Sequence, residues 1–183
     1  MSEPIAAPGG QQARGAWAAA DALTVLRIPL AAAFLLVPAA GARLLVLGAA
    51  AITDLLDGHV ARRFGASRLG AFLDPVADKL FMGTAFFVVA TSGRLELYEV
   101  LAVLLRDIAA TIAFVITLFS GRPMAIPARL GGKAVTVAQL LTLLAFLLGS
   151  PLLRPLAWAT GAIAIYAIWD YHKAAGSEKR PLA

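Results

Sequence analysis

Six apolar runs of about 20 residues, each closed by a cluster of turn-forming residues, constrain this chain more than any other feature. Runs of that length exceed an ordinary strand and match a helix that crosses the hydrocarbon core of a bilayer. The expectation is an all-α integral membrane protein with six transmembrane helices, at 22–40, 44–63, 69–91, 97–119, 131–149 and 152–171. Gly, Ser, Pro and Arg collect in the breaks at 41–43, 65–68, 92–94, 120–127 and 150–151. Composition agrees, since 60% of the 183 residues are apolar, 15% are charged and the mean hydropathy is +0.80, beyond an ordinary soluble domain. Residues 1–15 read as a disordered tail, 16–173 as one helical domain and 174–183 as a second tail, with no internal repeat.

Basic residues set the expected orientation. One side of the membrane receives Arg14, Arg62, Arg63, Arg68, Arg122, Arg129, Lys133, Lys173, Lys179 and Arg180, and the other Arg43, Arg94 and Arg154 with Glu96 and Glu99. Both termini are therefore expected in the cytoplasm, and the location is the inner (cytoplasmic) membrane of a bacterium. A cleaved signal peptide ending near residues 40–42 is the alternative, but its lead-in up to Arg27 is long for that purpose. The net charge of +5 and pI near 10.1 do not point to nucleic acid, because the basic residues lie between apolar runs rather than in one patch. An anionic lipid surface is the better partner. The absence of cysteine excludes disulfides, thiolate nucleophiles and Cys-ligated metal centres.

Four aspartates interrupt the second and third runs: Asp54, Asp57, Asp74 and Asp78. A carboxylate at the centre of a membrane helix costs roughly 2.5–3.5 kcal/mol on insertion scales, so four of them imply a bound ligand. At about 100° per residue, Asp54, Asp57, Gly58 and Ala61 share one helical face. The two small residues leave room for a ligand near the backbone, and Arg62 beyond them suits phosphate oxygens. Gly70, Asp74 and Asp78 repeat at four-residue steps and again define one face. If the two faces meet, the converging carboxylates repel one another unless cations intervene, and two Mg²⁺ or Mn²⁺ ions fit all-oxygen ligation. Magnesium usually shares its coordination sphere with substrate phosphates, so a phosphate-bearing substrate is implied. Each half also has a structural reading. Asp74-Pro75 resembles a helix N-cap followed by proline at the first position, and Asp54 and Asp57 could pair with arginines in the bundle.

Residues 54 to 78 resemble the signature of the CDP-alcohol phosphatidyltransferases, D-x2-D-G-x2-A-R-x8-G-x3-D-x3-D, matching every fixed letter. One spacing departs, with seven residues rather than eight between Arg62 and Gly70. The resemblance extends over roughly residues 21–140. Asp21, Thr24 and Arg27 are similar to an Asn-x-x-Thr-x-x-Arg entrance to the first helix, with Asp in place of Asn. Leu73 to Lys79, Arg106-Asp107, Lys133 and Gln139 resemble the subgroup of phosphatidylglycerophosphate synthases and cardiolipin synthases.

The resemblance implies a six-helix fold, dimeric, with a polar cavity open to the cytoplasm. It also implies attack of an alcohol on the lipid-side phosphorus of CDP-diacylglycerol, with release of CMP. Carried over, Asp54 and Asp74 bridge two divalent cations, Asp57 holds one and Asp78 the other, and Asp78 is also the catalytic base. Gly58, Ala61, Arg62, Ser67 and Gly70 fall to CDP-diacylglycerol, with Thr24 and Arg27 as further candidates. Arg106, Arg129 and Lys133 are the candidates for gripping a phosphate on the acceptor, which favours glycerol 3-phosphate, with phosphatidylglycerol, giving cardiolipin, as the rival. Arg129 and Lys133 also read as ordinary positive-inside loop residues, and Arg106 as a partner of Asp107. A cation or proton transporter is the reading from another class, but it predicts acids or broken helices in both halves of the chain, whereas these four lie in runs two and three.

Overall fold

The computed structural model describes residues 9–64, 68–120 and 130–177, and of these the side chains at 21–59, 73–113, 115, 116, 119 and 131–170. Six helices follow one another: α1 (Gly9–Leu36), α2 (Ala40–Phe64), α3 (Arg68–Thr91), α4 (Leu97–Ser120), α5 (Leu130–Leu147) and α6 (Leu153–Ser177). They fall where the six apolar runs lie. Helix α1 begins well before the run that predicts it, so residues 9–15 of the expected N-terminal tail are helical, as are residues 174–177 of the expected C-terminal one. Among the described residues, no helix is both long enough and apolar enough to cross a membrane. Charge interrupts the runs: Arg43, Asp54 and Asp57 in α2, Asp74, Asp78 and Lys79 in α3, and Glu99, Arg106 and Asp107 in α4.

The chain divides into two compact units, Met1–Ala85 and Phe86–Ala183. In the first, α1 packs along α2. Pro38 ends α1, because the residue before a proline is disfavoured in the helical region. The Arg43 guanidinium then donates from Nε to the Phe34 carbonyl at 3.1 Å, satisfying one of the C-terminal carbonyls that α1 leaves open. Phe34 is fully buried and meets Phe81 edge-to-face, ring centroids 5.8 Å apart; Ala31, Leu47, Ala50, Ala77, Met82 and Ala85 are also buried in this unit. Pro75 lies inside α3 rather than at its start, so Asp74 is not the N-cap that the Asp-Pro pair suggested.

In the second unit, α6 packs against both α4 and α5. Small residues permit the approach, since a Cβ on Gly161 would stand 3.2 Å from the Ala102 Cβ and one on Gly131 3.2 Å from the Ala167 Cβ. Thr142 and Thr160 share a buried hydroxyl hydrogen bond of 2.9 Å between α5 and α6. Helix α4 opens with a capping box in which the Glu96 backbone N–H donates to Glu99 Oε2 at 2.9 Å. Helix α5 closes at Gly149, whose φ of 68° supports the Ser150 N–H donating back to the Ala145 carbonyl. All six helices also expose large apolar side chains, among them Leu36, Leu45, Phe87, Phe119, Val137 and Trp169.

Candidate metal and phosphate site

The first unit brings three of the predicted aspartates together. Asp54 and Asp57 lie three residues apart on α2, and Asp74 joins them from α3, with one carboxylate oxygen from each lying within 4.8 Å of the others. Asp57 is buried, whereas the side chains of Asp54 and Asp74 are 57% and 53% exposed. The cluster thus has a buried floor and an accessible rim. Asp78, four residues beyond Asp74 and about 6 Å further along the α3 axis, is exposed and is not one of the three.

Three carboxylates held this close repel one another, and α1 supplies the opposing charge. The Arg27 side chain is 2% exposed, and its Nη2 meets Asp54 Oδ1 at 2.9 Å and also pairs with Asp57 Oδ2, while Nη1 donates to Asp74 Oδ1 at 2.9 Å. Thr24, one turn earlier on the same face of α1, donates from Oγ1 to Asp57 Oδ2 at 3.3 Å. Thr53 takes no part, because its hydroxyl donates to the Ala50 carbonyl. The planar fork of a guanidinium suits such a task, as one group can bridge acids from two helices. Arg27 and Thr24, expected as nucleotide contacts, are therefore found on the carboxylates themselves. The available signal was their three-residue spacing inside an apolar run, which puts a cation and a hydroxyl on one face.

One positive charge against three negative ones leaves a net charge of about −2, much of it on the accessible rim. The donor set is all carboxylate oxygen, the chemistry that hard divalent cations prefer, so these residues fit an Mg²⁺ or Mn²⁺ ion. Arg27 Nε is buried without a hydrogen-bond partner among the described residues. Gly58 follows Asp57 on α2 and is partly buried. Ser67 and Arg129 lie outside the described residues, as do the side chains of Ala61 and Arg62, and Gly70 is placed only as part of the α3 backbone.

The second unit holds the other predicted residues. Arg106 Nη1 meets Asp107 Oδ1 at 3.2 Å, both side chains being largely buried, and Asp107 also accepts from Gln139 of α5. Lys133 is exposed on α5.

The sequence profile of the CDP-alcohol phosphatidyltransferases matches residues 17–169. The chain belongs to this family. A Mycobacterium tuberculosis protein named "Probable phosphatidylglycerophosphate synthase" is 34% identical over 159 residues, covering 81% of this chain and 74% of its own length. Another from the same organism, named "Putative cardiolipin synthase", is 35% identical over 158 residues, covering 81% and 75%. The "CDP-diacylglycerol--glycerol-3-phosphate 3-phosphatidyltransferase" of Bacillus subtilis is 28% identical over 141 residues, covering 72% and 71%. No solved structure matches the chain. Membership makes this phosphatidyltransferase an enzyme, which removes the transporter reading, and the signature that carries the resemblance contains all three clustered carboxylates.

Proposed function

We propose that this phosphatidyltransferase moves the phosphatidyl group of CDP-diacylglycerol onto glycerol 3-phosphate, giving phosphatidylglycerophosphate and CMP. The three-carboxylate cluster built by α2 and α3 and tied by Arg27 carries the reading, because a net negative, all-oxygen site suits divalent cations that bind a diphosphate. The names of the Mycobacterium tuberculosis and Bacillus subtilis relatives support the choice of acceptor.

Asp54, Asp57 and Asp74 would hold the ions, with Asp78 completing the set. Bound there, two divalent ions would supply positive charge for the diphosphate and for the charge that gathers on departing CMP. Asp78 takes the proton of the acceptor hydroxyl as that oxygen bonds to the lipid-side phosphorus and the bond to the CMP oxygen breaks. Gly58, Ala61 and Gly70 leave space for the nucleotide, and Arg62 and Ser67 contact it. Arg27 and Thr24 act on the protein side, holding Asp57 and its neighbours in place. Arg106, Arg129 and Lys133 are the residues assigned to the acceptor phosphate in this reading.

The helices lie in the membrane in this reading, with both termini and the site on the cytoplasmic side, and the chain pairs as a homodimer. Large apolar side chains exposed on all six helices support a lipid environment, which would cover them.

Purified protein given CDP-diacylglycerol and Mg²⁺ or Mn²⁺, with glycerol 3-phosphate or phosphatidylglycerol offered separately, tests the proposal. CMP release with phosphatidylglycerophosphate formed from the first acceptor is the expected result. Cardiolipin from the second, with no product from the first, establishes the other reading, which the equally similar cardiolipin synthase relative favours.

A further inference from the structure

A buried polar network in the second unit links α4 to α5 through a residue that the transfer chemistry does not use. Gln139 of α5 is 1% exposed, and its Nε2 donates to the Val103 carbonyl at 3.0 Å and to Asp107 Oδ2 at 2.7 Å, both on α4. Both amide hydrogens are thereby committed. The other carboxylate oxygen of Asp107 accepts from Arg106 Nη1 at 3.2 Å. Asp107 thus takes a single nitrogen of the guanidinium, although a carboxylate paired for stability alone favours two parallel bonds. Arg106 Nε is buried and has no hydrogen-bond partner among the described residues, a condition that native proteins rarely keep without a reason.

We propose that Gln139 and Asp107 are positioning residues that fix the Arg106 guanidinium so that its Nε edge receives the phosphate of the acceptor alcohol. The inference rests on the proposed function, specifically on an acceptor that carries phosphate. Gln139 fixes the rotation of the Asp107 carboxylate, and Asp107 in turn anchors one end of the guanidinium. An arginine already held at Nη1 loses less side-chain freedom on meeting an oxyanion than one that is free to move. With Nη1 taken by Asp107, the edge formed by Nε and Nη2 is the one left to offer two parallel N–H donors to a phosphate, and its Nε lies buried with no other partner among the described residues.

Full-length protein provides the test, through the KM for glycerol 3-phosphate and the KM for CDP-diacylglycerol measured separately by CMP release. Gln139→Met preserves the volume and removes both donors, and it raises the acceptor KM on the order of tenfold, equivalent to about 1.4 kcal/mol, while the CDP-diacylglycerol KM stays within about twofold. Arg106→Lys raises the acceptor KM at least as much. The double variant raises it no further, because Gln139 acts through Arg106. Thr142→Val, which breaks the buried hydroxyl pair on the same helix, leaves the acceptor KM unchanged.

Should Gln139→Met fail to fold, Asp107→Glu keeps the charge, displaces the guanidinium and carries the same expectation. An unmoved acceptor KM, a parallel rise in both KM values, or full additivity in the double variant overturns the inference. If the unsubstituted protein turns over only phosphatidylglycerol, the proposed acceptor is wrong, and the same series read on the phosphatidylglycerol KM decides the inference by itself. Absence of CMP release with either acceptor overturns both.

Discussion

Replacing Arg27 by Met removes the only charge seen to oppose Asp54, Asp57 and Asp74 among the described contacts, and the structure sets the size of the effect. Asp57 and Arg27 are both buried, and stripping one partner from a buried pair costs about 3–5 kcal/mol. Asp54 and Asp74 are more than half exposed, so solvent screens their share to about 0–1 kcal/mol each. The total of about 3–7 kcal/mol corresponds to a fall in Tm of roughly 6–28 °C for a chain of this size. Tryptophan fluorescence of the detergent-solubilised protein, melted in EDTA, measures it. Arg27→Lys retains the charge but not the fork, and it melts between the variant and the parent. Millimolar Mn²⁺ narrows the gap, because a divalent ion held by the same carboxylates offsets the same repulsion. A Met variant melting within about 2 °C of the parent would mean that the ion pairs are worth less than about 1 kcal/mol and that Arg27 does not hold the three carboxylates together.

Asp78→Asn lowers CMP release by roughly 10²–10⁴-fold while CDP-diacylglycerol still binds, and undiminished turnover excludes Asp78 as the base. Chelation by EDTA stops CMP release, and Mg²⁺ or Mn²⁺ restores it; activity that survives chelation rules out a cation-dependent site. Gly161→Leu forces a side chain against Ala102 and destabilises by about 1–3 kcal/mol. Gly83→Ala, inside α3 with nothing within 4 Å of the added Cβ, stabilises by about 0.5–1 kcal/mol, and the opposite sign in these two melts is the check.

The six helices were legible because apolar runs and turn residues alternate cleanly, and every run contains most of one helix. Their ends were less so. The N-terminal prolines and glycines suggested a tail up to residue 15, yet α1 begins at Gly9, since alanine-rich sequence extends a helix that a downstream apolar run has already nucleated. Asp74-Pro75 read as a possible cap because sequence cannot tell a proline at a helix start from one tolerated inside. For the site, periodicity placed Asp54 with Asp57 on one face of α2, and that pairing holds. That Asp54 and Asp57 could pair with arginines was one reading of the sequence, and it holds; that the arginine is Arg27 was hidden, because helical spacing reports neighbours within a helix and says nothing of which side chain another helix inserts. Gln139 was visible only as part of a resemblance; its two bonds to α4 require the packing of α5 to be known.

If the helices lie in the membrane, as proposed above, the arginine on α1 also bears on how such a chain enters a bilayer. Helices α1 and α2 are joined by three residues and pack together, so they can insert as one hairpin. Presented alone, α2 would bring two carboxylates into the hydrocarbon at roughly 2.5–3.5 kcal/mol apiece for central positions. Presented with α1, the buried acid arrives already matched to its guanidinium. The order of synthesis therefore suits the charge pattern: the cation is made first and waits about one helix length for its partner, so biogenesis of this enzyme is expected to tolerate charge changes in Asp54 far better than separation of α1 from α2 by a long polar insertion.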